Sequence, residues 1–174
     1  MTRTAYRYPA RLDPDEEGRF VVHFPDLPEA LTDGADEAES LTEASDCLST
    51  ALAARIVNGE DIPPPSRLRP GQYLVPPDAT MAPKAALYSA LRARKMTVAD
   101  LARRLDIDDR KAARLIDPRA VSGLTSLEAA LSALGYAIGI EVHEKAGGMT
   151  PRVDPPDCAA PFAGHASKTN SSEV

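Results

Sequence analysis

The sequence predicts an α+β protein: a small β-β-β-α-β domain followed by an all-α helix-turn-helix domain with a terminal strand. Three observations carry this. Apolar residues alternate with period two in AYRYPARL and RFVVHF, then switch to helical spacing across residues 39–58. Capping and turn residues recur at short-helix intervals across residues 81–135. Charge is also segregated: residues 1–66 carry five Arg against fourteen Asp or Glu, and residues 84–119 carry ten Lys or Arg against five Asp. Charge governs association more than fold, so this split points to two different partners.

In the first strand Tyr6, Tyr8, Ala10 and Leu12 point one way, and Pro9, which lacks a backbone donor, suggests an edge or a bulge. DPDEEG reads as a hairpin connection. The next strand puts Phe20, Val22 and Phe24 on one face and Val21 and His23 on the other. The prolines of FPDLPEALTDGADEAES then interrupt regular pairing, with a short strand expected over residues 30–34 and turn chemistry from Asp33-Gly34. Leu41, Ala44, Leu48, Leu52 and Ile56 form one helical face that stops at Asn58-Gly59. EDIPPPS is a stiff exit, and QYLVP returns as a last strand.

From Met81 the chain reads as helices. Pro83 fits the first turn of one that turns Leu87 and Leu91 inward. Thr97 with Asp100 caps a second, whose Val98, Leu101, Ala102 and Leu105 form the buried stripe. Asp106-Ile107-Asp108 is a tight turn, and Asp108 caps a third helix through Ile116. Thr125 and Glu128 form a capping box for a fourth, ended by Gly135, and YAIGIEV alternates as a terminal strand. The expected division is 1–80, 81–144 and a disordered tail over 145–174, rich in Pro, Gly, Ser and Ala.

Helices two and three, joined by a three-residue turn, are the helix-turn-helix arrangement. The third, DRKAARLI, turns Ala112, Leu115 and Ile116 inward and Arg110, Lys111 and Arg114 outward. A recognition helix needs that division, because long cationic side chains reach base edges and phosphates only if the other face is anchored. Arg103, Arg104 and Arg119 are placed to reach flanking phosphates, with Thr97 at the cap. The plainer reading, a solvated charged face, fails to account for cap, turn length and helix order coinciding with the basic side. Asp108 and Asp109 beside that face would repel phosphate, although they suit a helix N-terminus.

YPARLDPDEEGRFVVHFPDLPEALTDGADEAESLTEASDCLSTAL, the exit IPPPS, and LRARKMTVADLARRLDIDDRKAARLIDPRAVSGLTSLEAALSALG cover most of residues 6–142. Together these segments resemble the HicB antitoxins of bacterial HicA–HicB toxin–antitoxin pairs, in the branch with a helix-turn-helix rather than a ribbon-helix-helix. The resemblance implies a partial RNase H-like fold for the first domain and a HicA-like ribonuclease toxin, small and basic, as its partner. It implies operator DNA as the partner of the second domain, autorepression, and a homodimer or higher oligomer. An acidic surface suits a basic toxin, and Asp13, Asp15, Glu16, Glu17, Asp26 and Glu29 are the toxin-binding candidates.

No catalytic residue, metal site or cofactor is expected. Those carboxylates fall at strand ends and turns, where a two-metal nuclease would need them to converge, and His23 is a lone strand histidine. A stand-alone helix-turn-helix transcription regulator with an acidic sensor or partner-binding domain is the alternative, and a metal-dependent nuclease is a more distant one. Cys47 and Cys158 belong to no metal-type cluster and are not expected to pair. No apolar run approaches the ~20 residues of a membrane span, and MTRTAYRYPA lacks a signal-peptide core, so a cytoplasmic protein is expected.

Overall fold

The computed structural model describes residues 6–141. Strands β1 (Tyr8–Pro14), β2 (Phe20–Phe24) and β3 (Leu27–Gly34) precede helix α1 (Glu37–Asn58) and strand β4 (Tyr73–Val75). Helices α2 (Met81–Ala93), α3 (Val98–Leu105), α4 (Asp109–Ile116) and α5 (Leu124–Ala133) follow. The sheet is antiparallel in the order β3-β2-β1-β4. One of its faces presents Tyr8, Ala10, Val22, Phe24, Leu27, Ala30, Tyr73 and Val75 to Ala44, Leu48, Leu52 and Ile56 of α1. Each large side chain removed from water there contributes roughly 1.5–3 kcal/mol.

Long-range pairing corrects the strand expectations. β1 is internal rather than at an edge. Pro9 lies opposite Leu74 of β4, and the β1–β2 register begins only at Arg11, so the proline stays outside that ladder. Nor do the prolines stop the sheet after Phe24. Pro25 and Asp26 are the turn of a hairpin with a bulge between His23 and Phe24, and β3 begins at Leu27 rather than Ala30. Pro28 is tolerated because β3 is an edge strand. Gly34 is required by close approach instead of turning: a Cβ there would lie 2.6 Å from Ser40 N and 2.8 Å from Ser40 Cα.

α1 starts at Asp36, whose side chain accepts from Glu39 N, and stops at Gly59 with φ 71°. The 59–66 exit is tied down through its carbonyls. Arg92 donates to Gly59, Tyr88 to Glu60, Arg55 to Asp61 and Tyr8 to Pro63. A proline-rich segment has few donors of its own, so side-chain donors from both sides hold it. α2 serves two cores: Met81, Ala85 and Tyr88 pack against the sheet domain, while Leu87, Ala90 and Leu91 pack against α3, α4 and α5.

In the helical domain the α3 and α4 expectations match, including Asp108 as N-cap and Ile116 as last residue. α5 begins at Leu124 with Gly123 as N-cap, so Thr125 lies inside its first turn and the expected Thr125–Glu128 box is not what starts it. Residues 136–141, where a terminal strand was expected, form no strand and join no ladder among the described residues. The expected tail and Cys158 lie outside the described residues.

Candidate functional site

α4 is held as a reading helix must be. Ala112 and Leu115 are buried while Arg110, Lys111 and Arg114 are exposed. Thr97 starts α3 through a reciprocal box: its hydroxyl oxygen accepts from Asp100 N, and Asp100 accepts from Thr97 N at 2.8 Å. Asp106 adopts the left-handed conformation (φ 53°, ψ 46°) at which α3 ends, so this turn forms without glycine. Asp108 accepts from Lys111 N at 2.8 Å and pairs with Lys111 Nζ at 3.3 Å. The bond from the Lys111 amide, ahead of the lysine's charge, holds the Asp108 carboxyl below the ordinary carboxylate range.

Asp108 is therefore engaged by its own helix, and Lys111 is partly compensated. Arg110 and Arg114 make no ion pair among the described residues. Arg103 pairs with Asp100 yet keeps 78% of its side chain exposed. Arg104 turns toward α5, donating to Ala133 O at 3.3 Å. Arg119, also mostly exposed, contacts Asp117 at 3.4 Å. The α4–α5 loop that carries it is pinned from below by Lys84, a buried ammonium that donates to Asp117 O at 2.6 Å and to Ala120 O. Burial pushes the Lys84 ammonium below the usual lysine range. Sequence reasoning missed Lys84, although its spacing from Leu87, Tyr88 and Leu91 places it on the apolar side of α2.

The acidic candidates fall at two ends of the sheet. At the β1–β2 hairpin end, Asp15 builds the turn by accepting from Glu17 N and Arg19 N at 2.9 and 2.8 Å. Asp13 lies 3.6 Å from His23 Nδ1 and 3.8 Å from Arg11. Glu16 and Glu17 are exposed at the tip. The register Asp13↔Val21↔Asp33 brings Asp33 to this end, and the β3–α1 crossing adds Asp36, Glu37 and Glu39. Those four were not among the candidates. Their pattern was visible, but only the register shows that they join the hairpin.

Asp26 and Glu29 lie at the other end, about 15 Å away along β2 at the ~3.3 Å rise per residue. Asp26 accepts from Ser66 N at 2.8 Å. Glu29 accepts from Arg55 Nε at 2.5 Å, and that bond holds its carboxyl below the ordinary range. Both therefore secure the return of the exit segment and α1. No group of three or more His, Cys, Asp or Glu side chains among the described residues is spaced to hold a metal ion. No helix among them is long and apolar enough to cross a membrane.

Comparison with known proteins fits this two-part surface. Residues 7–86, the sheet domain with the start of α2, match the family described as HicB-like antitoxin of bacterial toxin–antitoxin system. The chain is 34% identical over 137 residues to antitoxin HicB 1 of Photorhabdus laumondii, covering 79% of this chain and 87% of that protein. It is 33% identical over 134 residues to antitoxin HicB of Escherichia coli K12, covering 77% of this chain and 97% of that protein. Both alignments are too long for the sheet domain alone, so they extend into the helical domain.

Proposed function

Since the chain belongs to the HicB-like antitoxins of bacterial toxin–antitoxin systems, we propose that it neutralises a small basic HicA-type ribonuclease through its sheet domain and represses its own operon through α4. The observation that carries the DNA half is the pair Arg110 and Arg114. They are exposed and without ion-pair partners among the described residues, on a helix whose buried face and both neighbouring caps are satisfied. Charges so placed can neutralise phosphates or pair with guanine edges at little internal cost.

The toxin half is supported by the hairpin end, where Glu16, Glu17 and the acids at the start of α1 outnumber the cations Arg11 and Arg19. Such a surface accelerates encounter with a basic protein and competes with RNA phosphate for its cationic site. In this reading the antitoxin acts by occupancy, without chemistry of its own. The test is co-expression with the adjacent small basic reading frame, followed by co-purification and gel retardation of the upstream DNA. A stable complex that retards this DNA is expected. A chain that retards the DNA but captures no neighbour would be a stand-alone regulator, and the antitoxin reading of this copy would fail.

A further inference from the structure

The loop between α4 and α5 shows solvent an apolar side chain that neither core uses: Val121 is 91% exposed. A lone exposed apolar residue is ordinary on a protein surface and needs no explanation by itself. What sets Val121 apart is how firmly its two neighbours are held. On one side the Ala120 carbonyl accepts from the buried ammonium of Lys84, as the Asp117 carbonyl does at 2.6 Å. On the other, the Ser122 hydroxyl donates to the Arg114 carbonyl at 3.0 Å and ties the loop to the last turn of α4. Within the loop Ala120 N donates to Asp117 O at 3.1 Å, and Arg119 N to Asp117 Oδ1 at 3.0 Å. Burying an ammonium against two neutral carbonyls is costly. What it secures here is the shape of an exposed loop.

We propose that Val121 is a specificity contact for the operon DNA, its methyl groups packing on the C5-methyl of a thymine beside the bases met by Arg110 and Arg114. The inference rests on the reading of α4 as the DNA-reading helix and adds a chemistry that the arginines lack. Guanidinium groups suit phosphates and the acceptor atoms of guanine, whereas the thymine methyl is the apolar mark in the major groove and selects an apolar side chain. Continuity argues for DNA as the occupant. The loop is bonded to the backbone of Arg114, and Arg119, two residues before Val121, keeps 80% of its side chain exposed. An apolar group set among outward cations fits a groove walled by phosphates. Bonds at Ala120 and Ser122 also leave little freedom to be lost when Val121 is covered.

The test pairs a side-chain truncation with removal of the methyl it would touch. Full-length wild type and Val121→Ala are titrated by fluorescence anisotropy, at low salt, against the upstream DNA made with thymidine or with deoxyuridine throughout. Truncation is expected to weaken binding to the thymidine DNA about three- to tenfold, since each buried methyl group is worth roughly a factor of four. On the deoxyuridine DNA the two proteins should bind within about twofold of each other, because the partner methyl is gone. Equal losses on both DNAs, or no loss on either, would overturn the proposal. Val121→Lys strengthening both complexes alike would place the loop at phosphates, also against it. A fall in mass by light scattering for Val121→Ala would assign the residue to a contact between chains instead. Wild type that binds neither DNA would fail the reading of α4 itself, a result distinct from wild type that binds while Val121 proves indifferent to the methyl.

Discussion

Asp108, the N-cap of α4, already pairs with Lys111 and partly compensates it, whereas Arg110 and Arg114 have no ion-pair partner among the described residues. A side chain with no internal ion pair to break gives more of its interaction energy to an incoming phosphate or base. Arg110→Ala and Arg114→Ala are therefore expected to cost about 1–3 kcal/mol each in affinity for operon DNA if they reach base edges. Lys111→Ala should cost less and lower the slope of log affinity against log salt by about one. Fluorescence anisotropy across a salt series measures both quantities. A lysine substitution more damaging than either arginine substitution would reverse this ranking. The alternation of residues in DRKAARLI made the basic side legible, but not the pairing of Asp108 with Lys111, which depends on the cap geometry.

Between elements, two junctions concentrate stability. Gly34 brings β3 against the backbone of Ser40, so Gly34→Ala must displace the entry to α1; overpacking of this kind costs about 1–3 kcal/mol, readable by urea denaturation. At the entry to α2, Asp78 accepts from Thr80 N, Thr80 Oγ1 and Met81 N at 2.8, 2.6 and 2.8 Å, while its own amide donates to Ser49 on α1 at 2.8 Å. Burial pushes the Asp78 carboxyl up, but the bonds from Thr80 and Met81 outweigh it and hold it below the ordinary value. A depressed carboxyl contributes stability above its unfolded pKa of about 4 and loses it as pH falls through the folded value. Asp78→Ala should thus destabilise by about 1 kcal/mol at pH 7, and the gap from wild type should narrow below pH ~4. A gap independent of pH would show that the charge contributes nothing. Elements closed by local chemistry, such as α3, α4 and the C-terminus of α1, were legible because caps and turns act over a few residues. β1 as an internal strand, and β3 starting before Pro28, were not, because strand order is set by partners distant in sequence.

On the scale of the whole molecule, the acidic and basic domains share α2. Tyr88 closes the sheet core and donates to Glu60 O at 2.8 Å, while Leu87 and Leu91, on the same helix, close the helical core. A chain cut at residue 80 would expose the apolar surface that Met81, Ala85 and Tyr88 cover, so a 1–93 fragment is expected to resist urea better than 1–80. Equal midpoints would mean that α2 adds nothing to the sheet domain. The segregated charge was readable from composition. Its division between the hairpin end and the Asp26/Glu29 end required the register, which places those groups at opposite ends of the strands. The central claim is that one chain holds a toxin through the sheet domain and DNA through α4. Its most direct test is to titrate toxin-catalysed RNA cleavage with the Arg110→Ala/Arg114→Ala double variant. Inhibition at the wild-type stoichiometry, by protein that no longer retards operon DNA, is the expected result. Loss of inhibition alongside unchanged DNA retardation would contradict the account.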